Sequence, residues 1–138
     1  MTGNALPTPV PYVSPETEPF WTGAKAGKLV LPHCNACSYV IWYPKVYCGA
    51  CGSLDVAWRE ASGLGTIYSY TQVHRGEGPY RETESFVLGL VDLDEGPRIL
   101  TNIIDTDPAR IEIGQRVRAV FHDAGEAAAL VRFTPLST

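Results

Sequence analysis

The chain has 138 residues, a formal net charge of −4 and a hydrophobic share of 45%. This length fits one ordinary domain, or two very small ones if a metal or disulfides stabilise one of them. The acidic balance argues against a protein whose binding energy comes mainly from nucleic-acid phosphates. No run of about 18 apolar residues exists, so the sequence predicts no membrane span. Residues 1–15 lack a secretory-signal pattern, which makes the cytoplasm the expected location.

An extended arm followed by one helix is predicted at the amino end of the chain. The arm, residues 1–13, contains three prolines and no periodic apolar pattern. Ser14 as a hydroxyl N-cap and Pro15 at the first helical position predict a helix over residues 15–26, with Gly27 as its stop. The apolar stripe of this helix consists of Phe20, Trp21 and Ala24.

Four cysteines follow as two Cys-x-x-Cys pairs, Cys34 with Cys37 and Cys48 with Cys51, separated by ten residues. Two such pairs bring four thiolates around one tetrahedral ion, which predicts a structural zinc or iron site without an open position for substrate. Such a small ribbon cannot bury enough surface to fold alone, so the metal would supply the missing stability. Disulfides or free buried thiols are the alternatives. His33 is expected at the surface or beside the ligands rather than on the metal.

Beyond Gly63 the pattern changes to a succession of short strands. Turn chemistry at Asp94-Glu95-Gly96 joins the second strand to the third, and Asp107-Pro108 begins one helical turn between the third and the fourth. Five strands with that short helix are typical of an OB-fold barrel. The predicted strands cover residues 66–74, 85–93, 98–104, 116–122 and 128–133.

The fold class predicted from these elements is mainly β. An N-terminal helix, a four-Cys zinc ribbon and a five-stranded OB-fold barrel follow one another along the chain. The corresponding segments are residues 1–27, 28–61 and 62–138. No catalytic residue is predicted, because the sequence has no nucleophile elbow, metal-hydrolase motif or phosphate loop and its cysteines are used for the metal.

Two groups of barrel residues are candidates for ligand binding. Tyr68, Tyr70 and His74 fall on one face of the first barrel strand by alternation, where an aromatic face could stack a base or an adenine ring. The other interpretation is a barrel strand whose tyrosines pack and point their hydroxyls outward. Arg116 and Arg118 in the fourth strand would contact the phosphates of a nucleotide-like cofactor or, alternatively, form a solvated face.

A set of short motifs, weak one by one, is specific in its order. The motifs are Glu18-Pro19-Phe20-Trp21, Gly27-Lys28-Leu29, the two cysteine pairs, residues 63–71, residues 95–100 and residues 113–117. With these motifs the chain resembles the bacterial and archaeal family called domain of unknown function 35, which comprises acyl-CoA-associated OB-fold proteins with a rubredoxin-like zinc ribbon. Two departures are Ser85-Phe86 in the second barrel strand and the bulky Ile41-Trp42-Tyr43-Pro44 between the cysteine pairs.

The resemblance implies a non-catalytic companion subunit. Its family members look like partners of thiolase-fold enzymes in hetero-oligomers that make or cleave carbon–carbon bonds on acyl-CoA, steroid side-chain aldolases included. An aldol or retro-aldol partner is therefore the expected function, with structural Zn²⁺ and with acyl-CoA as a ligand shared with the partner. Phe20 and Trp21 are the expected partner anchors. The alternatives are a single-stranded nucleic-acid module and a free-standing acyl-CoA-binding protein.

Overall fold

The computed structural model describes residues 6–136. It confirms a mainly β chain, and the described residues contain one α-helix, seven strands and two short 3-10 turns. None of their helices has the length and apolar character needed to cross a membrane. The elements are α1 (Glu18–Lys25), β1 (Val30–Cys34), β2 (Val56–Glu60), β3 (Leu64–Val73), β4 (Phe86–Leu93), β5 (Arg98–Ile103), β6 (Arg116–Asp123) and β7 (Ala129–Pro135), with 3-10 turns at Gly78–Tyr80 and Pro108–Arg110.

Helix α1 begins three residues later than predicted, and the start at Pro15 was wrong. A helix through Pro15 would need an N–H donated to its carbonyl from Pro19, which has none. The first helical bond instead runs from the Trp21 N–H to the Thr17 carbonyl, 3.2 Å. Ser14 closes a separate turn, because its carbonyl accepts from the Thr17 N–H at 3.0 Å.

The predicted stop of α1 at Gly27 is confirmed. Gly27 adopts φ +80°, a left-handed conformation that costs glycine little. The N–H of Lys28 donates to the Gly23 carbonyl at 2.8 Å, and the N–H of Gly27 donates to the Ala24 carbonyl at 2.9 Å. This pair of bonds satisfies the last helical carbonyls and directs the chain into β1.

The strands form a two-stranded ribbon and a closed barrel. Strands β1 and β2 pair antiparallel, and the barrel order is β3-β4-β5-β7-β6, with β6 returning to β3. A β-bulge at Tyr68 shifts the pairing of β3 with β4, which bends the strand as barrel closure requires. Gly89 leaves room for a neighbouring strand, since a Cβ there would lie 2.8 Å from the Ile103 side chain. The barrel confirms the predicted OB-fold.

One hydrophobic core joins the helix, the ribbon and the barrel. Phe20 of α1 and Leu31 of β1 belong to the same buried cluster as Val91, Val117 and Phe133 of the barrel. Because the ribbon and the helix share this core, they hold a fixed position over the barrel. The boundaries of the three segments, 1–27, 28–61 and 62–138, stay a prediction.

Candidate metal centre and aromatic groove

The four cysteines come together at the tip of the ribbon, and none forms a disulfide. Their four sulfur atoms lie within 4.8 Å of one another. The Sγ atoms of Cys34 and Cys51 are 3.6 Å apart, and those of Cys37 and Cys48 are 3.7 Å apart. Four sulfurs bound at about 2.3 Å to one tetrahedral ion have edges of about 3.8 Å. The cluster therefore fits a four-thiolate metal site.

The two cysteine pairs repeat the same backbone turn. The N–H of Ser38 donates to the Cys34 carbonyl at 2.9 Å, and the N–H of Gly52 donates to the Cys48 carbonyl at 2.8 Å. Both donors adopt the left-handed region, with φ of 70° and 82°. A backbone N–H also points at a sulfur in each pair, from Cys37 to Cys34 and from Ala50 to Cys48. Each turn thus places two sulfurs on the same side of the chain.

Without a cation the four thiols cannot all ionise together. Burial raises the pKa of the Cys48 thiol, but hydrogen bonds from the backbone N–H groups of Cys51 and Ala50 lower it by more. The resulting pKa of Cys48 is about 7. The Tyr39 N–H lowers the pKa of Cys37, yet burial and the neighbouring sulfurs together raise it to about 12. A bound divalent ion would replace this competition with attraction to all four thiolates.

His33 lies next to the cluster without joining it. Its Nδ1 donates to the Leu31 carbonyl oxygen at 3.0 Å, and the ring is only half-buried. The sulfur cluster already provides the four ligands that a tetrahedral ion takes. The expectation that His33 stays off the metal agrees with this placement.

The aromatic residues predicted on β3 are engaged with the barrel itself. The guanidinium carbon of Arg98 lies 3.4 Å from the centre of the Tyr68 ring, and Arg98 also pairs with Asp92 at 2.6 Å. Tyr70 donates its hydroxyl to the Ile111 carbonyl at 3.0 Å. Both rings remain partly exposed. Their role as a stacking platform stays a prediction, and Arg98 already covers one of the two.

The predicted cationic residues do not form one cluster with those tyrosines. Arg116 makes a two-pronged contact with Asp94, at 2.7 and 2.9 Å, and this guanidinium lowers the pKa of the Asp94 carboxyl. Arg118 and His74 are exposed, and neither has a side-chain hydrogen bond to another described residue. Phosphate binding by Arg116 or Arg118 therefore stays a prediction, with Arg116 already partly neutralised.

Phe20 and Trp21 have different surroundings. Phe20 is 7% exposed and packs edge-on against Trp21 with ring centres 4.9 Å apart. Trp21 is half-buried and reaches a groove of about 410 Å³ between α1, the ribbon and the barrel, called here the aromatic groove. Partner contact by either residue stays a prediction. The groove is lined by Thr17, Phe20, Trp21, Trp42, Tyr43, Pro44, Tyr80, Ile99, Leu100, Thr101, Asn102, Leu130, Val131 and Arg132.

A buried arginine lies at the wall of the aromatic groove. Arg132 of β7 is 1% exposed and forms no ion pair with a carboxylate of the described residues. Its Nε donates to Asn102 Oδ1 at 3.2 Å, and its Nη1 lies 2.9 Å from His122 Nδ1. Its Nη2 donates to the Pro7 carbonyl and to the Tyr80 hydroxyl, at 2.6 and 3.1 Å. Arg132 thereby connects the arm, two strands and the loop before β4.

Stability is expected to fall on mild acidification because of His122. A guanidinium only donates, so His122 Nδ1 must accept and the ring must be neutral. Burial lowers the pKa of His122 below 6.5, nearby Arg132 lowers it further, and Asp105 opposes both. Near and below pH 6.5 the unfolded chain therefore binds more protons at His122 than the folded chain does. The contribution of neutral His122 to the unfolding free energy is complete above pH 6.5 and is lost as the pH falls through the lower pKa of the folded state.

Urea unfolding between pH 5 and pH 8 would measure this effect, with His122→Gln as the matched variant. In the variant, the unfolding free energy should depend less steeply on pH below about pH 6.5 than it does in the wild type. An unchanged slope would assign the pH dependence to other groups.

Sequence reasoning missed the residues that define the aromatic groove. Trp42, Tyr43, Tyr80 and Arg132 come from separate parts of the chain, and their shared position follows from packing alone. Arg132 carried a usable signal, since it is a charged residue inside the apolar pattern of β7. The sequence shows extra bulk at Trp42 and Tyr43, but nothing in it connects these residues with the barrel.

Two consecutive segments of the chain match protein-family models of the two domains of one protein. Residues 21–57 match the model described as the rubredoxin-like zinc ribbon domain of ChsH2, and residues 58–122 match that of its C-terminal OB-fold domain. A DUF35 domain-containing scaffold protein of Methanothermobacter thermautotrophicus is 32% identical over 67% of this chain and 71% of its own length. The chain belongs to the DUF35 family. The expected resemblance is confirmed.

Two longer relatives match this chain over part of their length. A probable enoyl-CoA hydratase alpha subunit of Thermomonospora curvata is 35% identical over 92% of this chain. The 3-oxo-4,17-pregnadiene-20-carboxyl-CoA hydratase alpha subunit of Mycobacterium tuberculosis is 34% identical over 82% of this chain. The chain spans only 40% and 36% of the length of these two proteins.

Solved DUF35 structures share this fold. A chain of the Ltp2-ChsH2(DUF35) aldolase superimposes with a TM-score of 0.80 at 34% identity, covering 91% of this chain and 98% of that one. A DUF35 protein from Sulfolobus solfataricus gives a TM-score of 0.63 at 16% identity over 91% and 88% of the two chains, which shows the common fold.

Proposed function

We propose that this DUF35 protein is a non-catalytic subunit of a thiolase-fold enzyme that forms or cleaves carbon–carbon bonds on acyl-CoA. Within that class, retro-aldol cleavage of a steroid or other long acyl-CoA is the favoured reaction. The partner carries the reacting groups, and this chain supports it and helps shape its acyl-CoA channel. A reducing compartment, the cytoplasm, would keep its four thiols available for metal.

The main support for this proposal is the similarity to a chain of the Ltp2-ChsH2(DUF35) aldolase, which extends over nearly all of both chains. Two further names support the proposal. Archaeal relatives are called scaffold proteins, and the mycobacterial relative is named for a steroid acyl-CoA. The functional residues identified above agree with a supporting role, because the cysteine cluster has the closed form of a structural metal site.

The surface proposed for partner contact surrounds the aromatic groove. Tyr43 and Leu100 both line the groove and are 65% and 59% exposed, and Trp21 of α1 is half-buried there. Large exposed apolar side chains that share one concave surface are typical of protein contact sites. Phe20 would support this contact surface indirectly, because its buried ring packs against Trp21.

Zinc is the proposed metal. Four thiolates in two Cys-x-x-Cys turns are the usual donor set for structural Zn²⁺, and the sulfur distances allow bonds of ordinary length. The residues that would hold the ion are Cys34, Cys37, Cys48 and Cys51. A zinc ion would neutralise part of the thiolate charge and fix the ribbon that carries Tyr43.

Purification of the tagged protein from its native host, followed by mass spectrometry, tests the proposal. A thiolase-fold enzyme should co-elute in a fixed ratio, and Trp21→Ala should weaken that co-elution at least tenfold. Tyr12→Ala, which removes an exposed aromatic ring from the arm, is the matched control. Absence of such an enzyme from the wild-type complex would contradict the function. Unchanged co-elution of Trp21→Ala would contradict the contact assignment alone.

A nucleic-acid module has less support. Arg98 and Arg116, two cations on the outside of the barrel, are both paired with carboxylates of β4 or of the turn after it. Single-strand binding needs a groove of free positive charge beside exposed rings. Absorbance at 260 nm in the same purification distinguishes this alternative.

A further inference from the structure

The aromatic groove has an unusual balance of charge. Its lining includes one cation, Arg132, and no aspartate or glutamate. All four hydrogen-bond partners of that guanidinium are neutral: a side-chain amide, an imidazole, a backbone carbonyl and a phenol. A buried charge without an opposite charge is costly, and proteins normally provide a partner. The wall of the groove therefore favours a negative group.

Residues that line the same groove carry hydrogen-bond donors for which no acceptor is recorded. The indole N–H of Trp42 is buried and has no partner among the described residues. Tyr80 accepts from Arg132 through its hydroxyl oxygen, which leaves the hydroxyl proton free to donate. Arg132 has five N–H groups, of which four are used in the contacts recorded for it. Three residues that line the groove thus each have one N–H or O–H group for which no acceptor is recorded among the described residues.

The rest of the groove is apolar. Trp21, Tyr43, Leu100 and Leu130 supply its sides, and the volume of about 410 Å³ is within the range of small-molecule sites. Such sites combine an apolar lining with a few polar groups that fix the orientation of the ligand.

We propose that the aromatic groove binds a small apolar carboxylate, such as a medium-chain fatty acid. The carboxylate accepts from the tyrosine hydroxyl and the indole N–H while the buried guanidinium supplies the opposite charge. The hydrocarbon chain lies along the apolar sides. This inference goes beyond the partner proposal, since it requires only residues of this chain and a free acid rather than a thioester. The residues that would contact the carboxylate are Trp42, Tyr80 and Arg132.

A series of ten-carbon ligands with different head groups tests the proposal on the unmodified chain. Calorimetry at pH 8 and below the micelle concentration should show saturable binding of decanoate, with decanol at least tenfold weaker and decylammonium weaker still. Equal binding of decanoate and decanol would overturn the role of the carboxylate. Absence of decanoate binding, including the case in which only an acidic peptide binds, would overturn the proposal.

The variant Tyr80→Phe removes one donor and keeps the ring. We expect it to weaken decanoate binding about tenfold and to leave decanol binding unchanged. Tyr47→Phe, on the exposed surface of the ribbon, is the matched control and should bind both ligands as the wild type does. In ¹H–¹⁵N spectra, decanoate should shift the indole resonance of Trp42, assigned with Trp42→Phe, more than that of Trp58. Equal losses for both ligands in Tyr80→Phe, or an unmoved Trp42 resonance, would overturn the assignment of these donors.

Discussion

Replacement of Cys48 by serine is expected to abolish metal binding and unfold the ribbon. Cys48 is fully buried, and its sulfur is 3.7 Å from that of Cys37. Serine would replace one of the four sulfur ligands by an oxygen, which is a weaker ligand for zinc. Structural zinc contributes about 10–16 kcal/mol of apparent binding free energy in small zinc-finger peptides. The ribbon has little apolar core besides the one it shares with the barrel, so its fold should be lost with the ion.

Metal content by atomic absorption and thermal unfolding would measure the loss. His33→Ala is a matched control, because His33 lies beside Cys34 without contributing a ligand, and it should keep a full equivalent of metal. Treatment of the wild type with a strong chelator should reproduce the Cys48→Ser result. Full metal content in Cys48→Ser, or its loss in His33→Ala, would contradict the four-cysteine site.

Replacement of Arg132 by alanine is expected to lower the unfolding free energy by about 1–3 kcal/mol for each buried acceptor that loses its donor. The change leaves the Asn102 side-chain oxygen and the Pro7 carbonyl without their donor, and it opens a cavity beneath the arm. Arg118→Ala is the control. Arg118 is exposed on the neighbouring strand, and its removal should change stability by no more than about 0.5 kcal/mol.

Urea unfolding compares the two arginine variants, and limited proteolysis reports on the arm. Arg132→Ala should expose bonds near Pro7 to protease under conditions that leave Arg118→Ala intact, because the Pro7 carbonyl loses its donor. Similar unfolding free energies for the two variants would show that the Arg132 network contributes little.

The metal ligands and the barrel were predictable because each depends on short-range patterns. The spacing of the four cysteines determines which sulfurs can share an ion, and the turns at Asp94-Glu95-Gly96 and Asp107-Pro108 follow from the preferences of the residues within them. The Asp107 carboxylate indeed accepts from the Ala109 N–H at 3.0 Å. Strand ends were placed within about two residues for the same reason.

The groove and the Arg132 network were not predictable because they depend on contacts between distant positions. Pro7 and Arg132 are 125 positions apart in sequence, and no pattern around either residue indicates the other. Trp21 and Tyr43 line the same groove only because α1 and the ribbon pack on the same barrel. The start of α1 is a different case, since the missing N–H of Pro19 could have been read from the sequence.

The bond between Pro7 and Arg132 has a practical consequence for protein engineering. A fused domain or affinity tag at the amino end reaches the fold at Pro7, against the buried wall of the aromatic groove. At the other end, the Leu136 N–H bonds the Arg116 carbonyl at 3.0 Å, after the last barrel strand. Carboxyl-terminal fusion is therefore the safer choice for binding assays.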